Sequence, residues 1–401
     1  MQAQEEAALA GTGVTVRPAD DDDAVSGVRP RWVALPESVG EVAAVLRACA
    51  EHDLAVVPAG GGTKLHWGRP PERCDVLLDM CCMNEVLEHA AGDLVVRAQA
   101  GVTMDALAAV LADKGQELAL DVPFSEGTTV GGTLAAALPG PRSFRYGTAR
   151  DLLIGITVVL ADGTVAKSGG KVVKNVAGYD LGKLFTGSYG TLGVIAEATF
   201  RLHPLPPGRR WVTAEIDRAA LPPVAAALAA SQAEPSAVEV DRPEPDGPLG
   251  LAVLVEGTAA ESRAQALRDL IGAGTVTDER PSWWGLILND DVLVEVRFPP
   301  SGTGAVLDAA AGAGLALRGS PVYGRVLLES WTAVGEHELA TAVSGLRTKV
   351  EAVGGRVSVL SSPYESVDRW GQVSGLPLMR RVKERFDPGR RMSPGRFLGG
   401  I

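Results

Sequence analysis

Three consecutive glycines, Gly60, Gly61 and Gly62, sit in the run Pro58-Ala59-Gly60-Gly61-Gly62-Thr63-Lys64. Without Cβ atoms the backbone there can take positive φ angles and come close to a ligand, and successive N–H groups can converge on an anion. The run is not a P-loop, because Lys64 is neither preceded by glycine nor followed by Ser or Thr. It is not the Rossmann fingerprint either, since the third glycine is absent and no helix follows at once. Alone, it reads equally well as a strand-to-strand turn. A second segment, Asp121 to Ala135, contains Pro123, Thr129, Gly131, Gly132 and Thr133, and two anion-accommodating loops in one domain point to a dinucleotide. A third, Arg145-Tyr146-Gly147-Thr148-Ala149-Arg150-Asp151, precedes an apolar strand. The fourth runs from Lys171-Val172-Val173-Lys174-Asn175-Val176-Ala177-Gly178-Tyr179-Asp180 through Gly187-Ser188-Tyr189-Gly190 to Val194-Ile195.

Other chemistries are poorly supplied. Cys49, Cys74, Cys81 and Cys82 show no Cys-x-x-Cys spacing, and the five histidines (His52, His66, His89, His203, His337) include no helical i, i+4 pair. No metal site is therefore expected. The formal net charge of −11, with no basic stripe, argues against a nucleic-acid partner. The apolar run Leu152 to Ala161 and the Ala219 to Ala230 stretch, interrupted by Pro222 and Pro223, fall short of the roughly 20 residues that span a bilayer. Met1 to Ala10 carries Glu5 and Glu6 and no basic n-region, so no signal peptide is expected.

The elements that must position these loops follow from periodicity. A chain of 401 residues predicts two or three domains. An N-terminal arm over residues 1–29, with the acidic run Asp20 to Asp23, is expected to be solvated. Ser38 caps a predicted helix with Val42, Val45, Leu46 and Cys49 on its apolar face. A strand over 54–57 feeds the glycine loop, 76–78 and 93–98 are further strands, and Thr103 caps a second helix. Ile154 to Leu160, Asp162-Gly163 and Thr164 to Lys167 form a predicted hairpin, and 191–202 is a last strand before the Pro204 to Gly208 linker. Beyond it, strands near 211–216, 237–240, 251–256, 293–298, 323–329 and 356–360 alternate with helices at 259–271, 303–313 and 336–353. This order predicts an α+β layer with an antiparallel sheet. A helix over 379–386 and an irregular tail close the chain.

The four segments, in this order, resemble the flavoproteins with a PCMH-type (vanillyl-alcohol-oxidase) FAD-binding domain, over about residues 30–205. Phe386-Asp387-Pro388 and Ser393-Pro394-Gly395-Arg396 are similar to that family's C-terminal signature. Most members carry glutamate where Tyr189 stands. Gly187-Ser188-Tyr189-Gly190, the Lys174 to Asp180 run and Leu138-Pro139-Gly140-Pro141-Arg142 resemble, more narrowly, the FAD-binding subunits of glycolate oxidases.

The resemblance implies an α+β protein: a PCMH-type FAD-binding domain of two α/β subdomains over 30–205, an α+β cap over 206–375, and a C-terminal segment, 376–401, returning to the FAD domain. Pro58, Ala59, Gly60, Gly61, Gly62, Thr63 and Lys64 would hold the FAD pyrophosphate through backbone N–H groups, with Thr129, Gly131, Gly132 and Thr133 on its other side. Pro123 would lie near the flavin, Tyr146, Gly147 and Asp151 would shape the pocket wall, and Val194 with Ile195 would meet the adenine end. Covalent members attach flavin through a histidine in the first loop; Thr63 stands there, and His66 follows three residues later, so non-covalent FAD is expected.

Hydroxy-acid dehydrogenases of this superfamily carry a His-x-Gly-Asp-Gly-Asn type metal motif in the cap, and nothing like it occurs between residues 205 and 380. A flavin oxidising a 2-hydroxy acid needs a cation for the carboxylate and a base for the hydroxyl proton. The cap offers Arg297, Arg325, Arg356, Glu329 and Tyr323, with Arg297 the first candidate for a catalytic role and a surface strand arginine the alternative. Two functions follow: a flavoenzyme that itself oxidises a small 2-hydroxy acid or alcohol, or a flavin-bearing subunit docked on a related FAD subunit and an iron–sulfur subunit. The missing motif favours the second. A nucleotide-binding module without redox work is a third and weaker possibility. A cytoplasmic location is expected, with any membrane attachment made through partners.

Overall fold

The computed structural model describes residues 2–124, 126–171, 179–287, 291–330 and 334–401. It divides into two compact units: Met1–Leu138, Thr148–Leu205 and Val373–Ile401 form the first, and Pro139–Gly147 with Pro206–Gln372 the second.

In the first unit, β1 (Thr15–Pro18), β2 (Trp32–Leu35), β3 (Val56–Ala59) and β4 (Val76–Asp79) make a sheet of order β1-β2-β4-β3, with β2 and β3 both parallel to β4. A parallel pair needs a crossover. Between β2 and β3 it is the helix Val39–Glu51, whose N-cap Ser38 accepts from Glu41 N and which buries Val42, Val45, Leu46 and Cys49. A second, antiparallel sheet has the order β5-β6-β10-β8-β9, from β5 (Val86–Ala90), β6 (Val95–Gln99), β8 (Leu153–Val159), β9 (Val165–Gly169) and β10 (Val194–Arg201). β7 (Gln116–Glu117) pairs with β11 (His203–Pro204). The hairpin turns at Asp162-Gly163, where Gly163 has φ +80° and the Asp162 carboxylate accepts from Thr164 N. One apolar core joins both sheets.

The stretch expected as a solvated arm is folded into this unit. Gln2–Ala10 is a helix, Leu9 is fully buried in the core, and β1 pairs residue for residue with β2. Its acidic run is solvated at Asp20, Asp21 and Asp22, which are exposed, while Arg17 bonds both oxygens of Asp23 at 2.6 and 2.7 Å.

In the second unit, β12 (Arg209–Ile216), β13 (Ala237–Arg242), β14 (Leu249–Glu256), β15 (Thr275–Thr277), β16 (Leu293–Arg297), β17 (Ala316–Ser320), β18 (Arg325–Glu329) and β19 (Arg356–Ser361) form one sheet of order β15-β12-β14-β13-β17-β18-β16-β19. Its registered pairs are antiparallel. Alternate residues (Val238, Val240, Val294, Val296, Val326, Leu328) pack on the helices Leu221–Ala229, Ala260–Ile271, Thr303–Gly312 and Glu336–Glu351. Their neighbours in sequence lie on the other face. β17 escapes prediction because Arg318, Gly319 and Ser320 leave it neither an apolar run nor an alternation, although all five of its residues are buried. The helix Leu221–Ala229 escapes because Pro222 and Pro223 look like breakers; they occupy its first turn, where the missing N–H costs nothing.

Candidate functional site

β3 ends at Ala59 and delivers the chain straight into the glycine loop. Among the described residues, the N–H groups of Gly61, Gly62, Thr63 and Lys64 donate to no backbone carbonyl or side chain of the protein. Four successive donors are thus left open, and Gly61 and Gly62 are exposed. The loop cannot be thickened: a Cβ on Gly61 would overlap the Gly127 carbonyl, and one on Gly60 would overlap the Thr129 hydroxyl. Gly62 adds a positive φ of +72°.

A cleft with an empty volume of about 840 Å³, open mouth included, is lined by Pro58 to Lys64, by Thr129, Gly131 and Gly132, and by Tyr189, Ile195 and Arg396. The first two glycine segments therefore meet there. Their parts differ, however. The Val130 and Gly131 N–H groups bond the carbonyls of Val102 and Ala100 at 2.9 and 2.8 Å, and Gly132 N donates to the Thr129 cap at 3.2 Å. This second segment thus offers closeness rather than donors. Gly131 sits against Ala100, where a Cβ would come within 2.8 Å of the Ala100 methyl, whereas at Gly132 it would meet only the Thr129 hydroxyl at 3.1 Å.

Lys64 is half-buried, and its Nζ donates to the hydroxyls of Thr63 and Thr128 at 3.0 and 3.1 Å. The ammonium also lies 5.2 Å from the Phe124 ring centroid and 6.0 Å from that of Trp67. Loss of hydration pushes its pKa down to about 8.

The C-terminal segment closes the same end of the unit. Arg391 O and Ser393 N bond Val56 on β3 at 2.8 and 2.9 Å, Glu72 N donates to Pro394 O, and the Arg396 guanidinium donates to the carbonyls of Leu65 and Trp67. It is anchored by Lys383, whose buried Nζ bonds Asp387 at 2.7 Å and the carbonyls of Thr191 and Met392. Tyr189 lines the cleft at φ +56°, its ring stacked on Phe397 at 5.3 Å. Among the described residues, Ser188 Oγ, Thr133 Oγ1 and Ser393 Oγ are buried without a hydrogen-bond partner. Tyr189, Gly190, Gly193 and Arg396 were not among the expected site residues, although the segments quoted for the resemblance contain all four.

Other expected site residues lie elsewhere. Pro123 is half-buried beside Phe124 and is not among the lining residues, while Thr133 is buried in the helix Val130–Ala136. Val194 is strand core, 1% exposed. Asp151 is a helix cap: its carboxylate accepts from Thr148 N and Oγ1 at 2.8 and 2.7 Å. Burial pushes that carboxyl up, but these bonds outweigh it and hold it below its ordinary value. Tyr146 and Gly147 belong to the second unit, where the Tyr146 hydroxyl donates to Glu256 at 3.0 Å. Residues 172–178 of the fourth segment lie outside the described residues.

In the second unit, Arg297 is not a waiting cation. Its guanidinium makes a two-pronged bond to Glu295 at 2.9 and 3.1 Å, and Arg325 binds the same carboxylate at 2.8 Å. Burial would push the Glu295 carboxyl up, but the two guanidiniums hold it below its ordinary value. Arg325 also reaches Pro139 O, Arg318 pairs with Asp241 at 2.7 Å, and Arg209 pairs with Glu256 at 2.9 Å. Glu329 is buried on β18, Tyr323 is exposed, and Arg356 faces Arg297 across the β16–β19 register. Among the described residues, no group of three His, Cys, Asp or Glu could hold a metal ion.

Residues 30–169 match the family model described as an FAD binding domain. The chain is 39% identical over 195 residues to the glycolate oxidase subunit GlcD of Bacillus subtilis (strain 168), covering 48% of this chain and 41% of that protein. It is 39% identical over 171 residues to the mitochondrial D-2-hydroxyglutarate dehydrogenase of Bos taurus, covering 43% and 31%. To D-lactate dehydrogenase [cytochrome] 1 of Saccharomyces cerevisiae it is 36% identical over 181 residues, covering 44% and 30%. The chain thus spans less than half the length of these curated relatives. Among solved structures, a carbohydrate oxidase from Microdochium nivale superposes with a TM-score of 0.71 at 16% identity, covering 97% of this chain and 98% of that one. For p-cresol methylhydroxylase the values are 0.70 and 17%, covering 92% and 89%. At such identities the likeness establishes the fold alone, and it is the PCMH-type α+β fold.

Proposed function

We propose, from the premise that residues 30–169 are a PCMH-type FAD-binding domain, that this chain is the FAD-bearing subunit of a 2-hydroxy-acid dehydrogenase assembly. The observation that carries the cofactor assignment is the row of open N–H donors from Gly61 to Lys64 on a loop with no room for a side chain at Gly60 or Gly61. A pyrophosphate is the part of FAD that such a row of donors and an adjoining ammonium suit. In this reading Pro58 to Lys64 hold the phosphates, and Thr129, Gly131 and Gly132 form the close opposite wall. Ile195, Tyr189 and Arg396 complete the cleft. With threonine at position 63, the cofactor is held without a covalent bond.

The bound flavin would accept the electrons of a hydroxy acid such as glycolate. This substrate class is supported by the relatives, which include a glycolate oxidase subunit and dehydrogenases of D-lactate and D-2-hydroxyglutarate. The second unit favours a subordinate role in that oxidation. Arg297, Arg325, Arg318 and Arg209 are each committed to a carboxylate of the chain, which leaves these guanidiniums poorly placed to take a substrate carboxylate. We therefore assign substrate oxidation chiefly to a related FAD subunit and electron removal to an iron–sulfur subunit, in a hetero-oligomer in the cytoplasm. Among the described residues, no helix is long and apolar enough to cross a membrane.

The purified chain should be yellow and should release its FAD into the supernatant on acid precipitation. Glycolate should not reduce that flavin within seconds in the isolated chain, and natively expressed protein should bring its partners through size exclusion. A colourless chain indifferent to FAD would refute the cofactor. Rapid reduction by glycolate in the isolated chain would establish instead a stand-alone FAD-dependent hydroxy-acid or alcohol oxidase.

A further inference from the structure

Lys64 is a cation placed for a partner that the chain does not supply. Its ammonium is oriented by two threonine hydroxyls and flanked by the Phe124 and Trp67 rings, and among the described residues no carboxylate bonds it. It lines the cleft at the end of the open donors of Gly61 to Lys64. A half-buried ammonium without a counter-charge is costly. Two other withdrawn cations of this molecule find carboxylates: Lys383 finds Asp387 and Arg325 finds Glu295.

Resting on the FAD assignment above, we propose that the Lys64 ammonium is the side-chain counter-charge for the cofactor's pyrophosphate, and that loading the cofactor takes up a proton at Lys64. The charged or titratable residues on the segments packed around it are His66 and Arg396 on one side and Asp121 and Glu126, flanking Phe124, on the other. None of them is a hydrogen-bond or ion-pair partner of Nζ among the described residues. The balance is simple. Above pH 8 the amine of the empty chain is largely neutral; the bound dianion favours the ammonium; the proton comes from buffer, and no bond in the cofactor changes.

The full-length apo chain is titrated with FAD at pH 7, 8 and 9 in two buffers of different ionisation enthalpy, and with ADP as a pyrophosphate lacking the flavin. At pH 9 the native chain should take up close to one proton with either ligand, and affinity should fall by about tenfold for each pH unit above 8, the slope of a single linked proton. Lys64→Arg should bind FAD with no proton uptake and a flat profile, because its charge does not titrate. Lys64→Met should bind more weakly at pH 7 and also show a flat profile. Native chain that binds FAD without proton uptake, or Lys64→Arg that keeps the native slope, would overturn the proposal. Uptake with FAD but not with ADP would overturn the pyrophosphate as the anion. A native chain that binds no FAD at any pH would instead bring down the FAD assignment on which the proposal stands.

Discussion

Lys64 in the first unit is held by two hydroxyls and two aromatic rings, whereas Arg297, Arg325 and Arg318 in the second unit each lean on a carboxylate. The same contrast runs through the backbones. The glycine loop leaves the N–H groups of Gly61 to Lys64 open, while the second unit's sheet is paired strand to strand from β15 to β19. A region whose donors and charge are unsatisfied is one prepared for a ligand, and a region that satisfies its own charges is prepared to be rigid. The cofactor assignment and the modest catalytic role given to the second unit both rest on that difference.

The sharpest way to break the contrast is Gly61→Val. The added side chain would overlap the Gly127 carbonyl, so the loop must move and its donors with it. We expect complete loss of flavin absorbance from purified protein, with the second unit's melting transition preserved. A valine variant with full FAD occupancy would show that the loop does not hold the cofactor.

Lys383→Met tests the anchor of the first unit. It would leave the fully buried Asp387 carboxylate with only the N–H groups of Arg391 and Met392, at 3.1 and 2.8 Å. Removing one partner of a buried pair costs about 3–5 kcal/mol, which urea unfolding of the flavin-bearing unit should register. FAD should be lost at lower urea, since the segment from Arg391 to Arg396 borders the loop.

Glu295→Gln does the corresponding damage in the second unit, to a smaller extent. Arg325 keeps its bond to Pro139 O and an amide oxygen still accepts, so a loss of about 1.5–3 kcal/mol is expected, the worth of a charged hydrogen bond. The pH dependence has a fixed sign. The folded-state pKa of Glu295 lies below its unfolded value, so its stabilising contribution is complete above the unfolded pKa and is lost as pH falls through the folded one. The native second unit should therefore weaken in acid more steeply than the Gln variant. Lys64 gives the same sign in a higher pH window. Its lowered pKa means that folding without FAD releases a proton between about pH 8 and its unfolded value, so the apo first unit gains stability there as pH rises.

Most of this architecture is legible in the chain because local signals and tertiary packing agree. Ser38 and Thr103 cap their helices, Asp162-Gly163 turns its hairpin, and the loop glycines at 60–62 meet those at 131 and 132. The signals fail where a residue's partner is distant in sequence. Nothing near Arg297 announces that Glu295 will be shared with Arg325, nothing near Tyr146 points to Glu256, and Arg396 reaches Leu65 across nearly the whole chain. Gly131 and Gly132 look alike in sequence, yet only the fold shows that the first is pressed on Ala100.

The smallest effect, and the one that discriminates most finely, belongs to Arg297→Ala. The Arg297 side chain is 57% exposed and its partner Glu295 keeps the buried Arg325, so the ion pair lost is of the surface kind, worth below about 1 kcal/mol. FAD affinity should be unchanged. If Arg297 instead served as the cation for a substrate carboxylate, its removal would raise KM for glycolate in the assembled complex by about ten- to a hundredfold, the loss of a charge-assisted contact of roughly 1.5–3 kcal/mol. Steady-state kinetics of the complex with variant and native chain therefore separate the two roles directly. An unchanged KM together with unchanged stability leaves Arg297 as a surface partner of Glu295, and a strong rise in KM would move substrate recognition into the second unit of this chain.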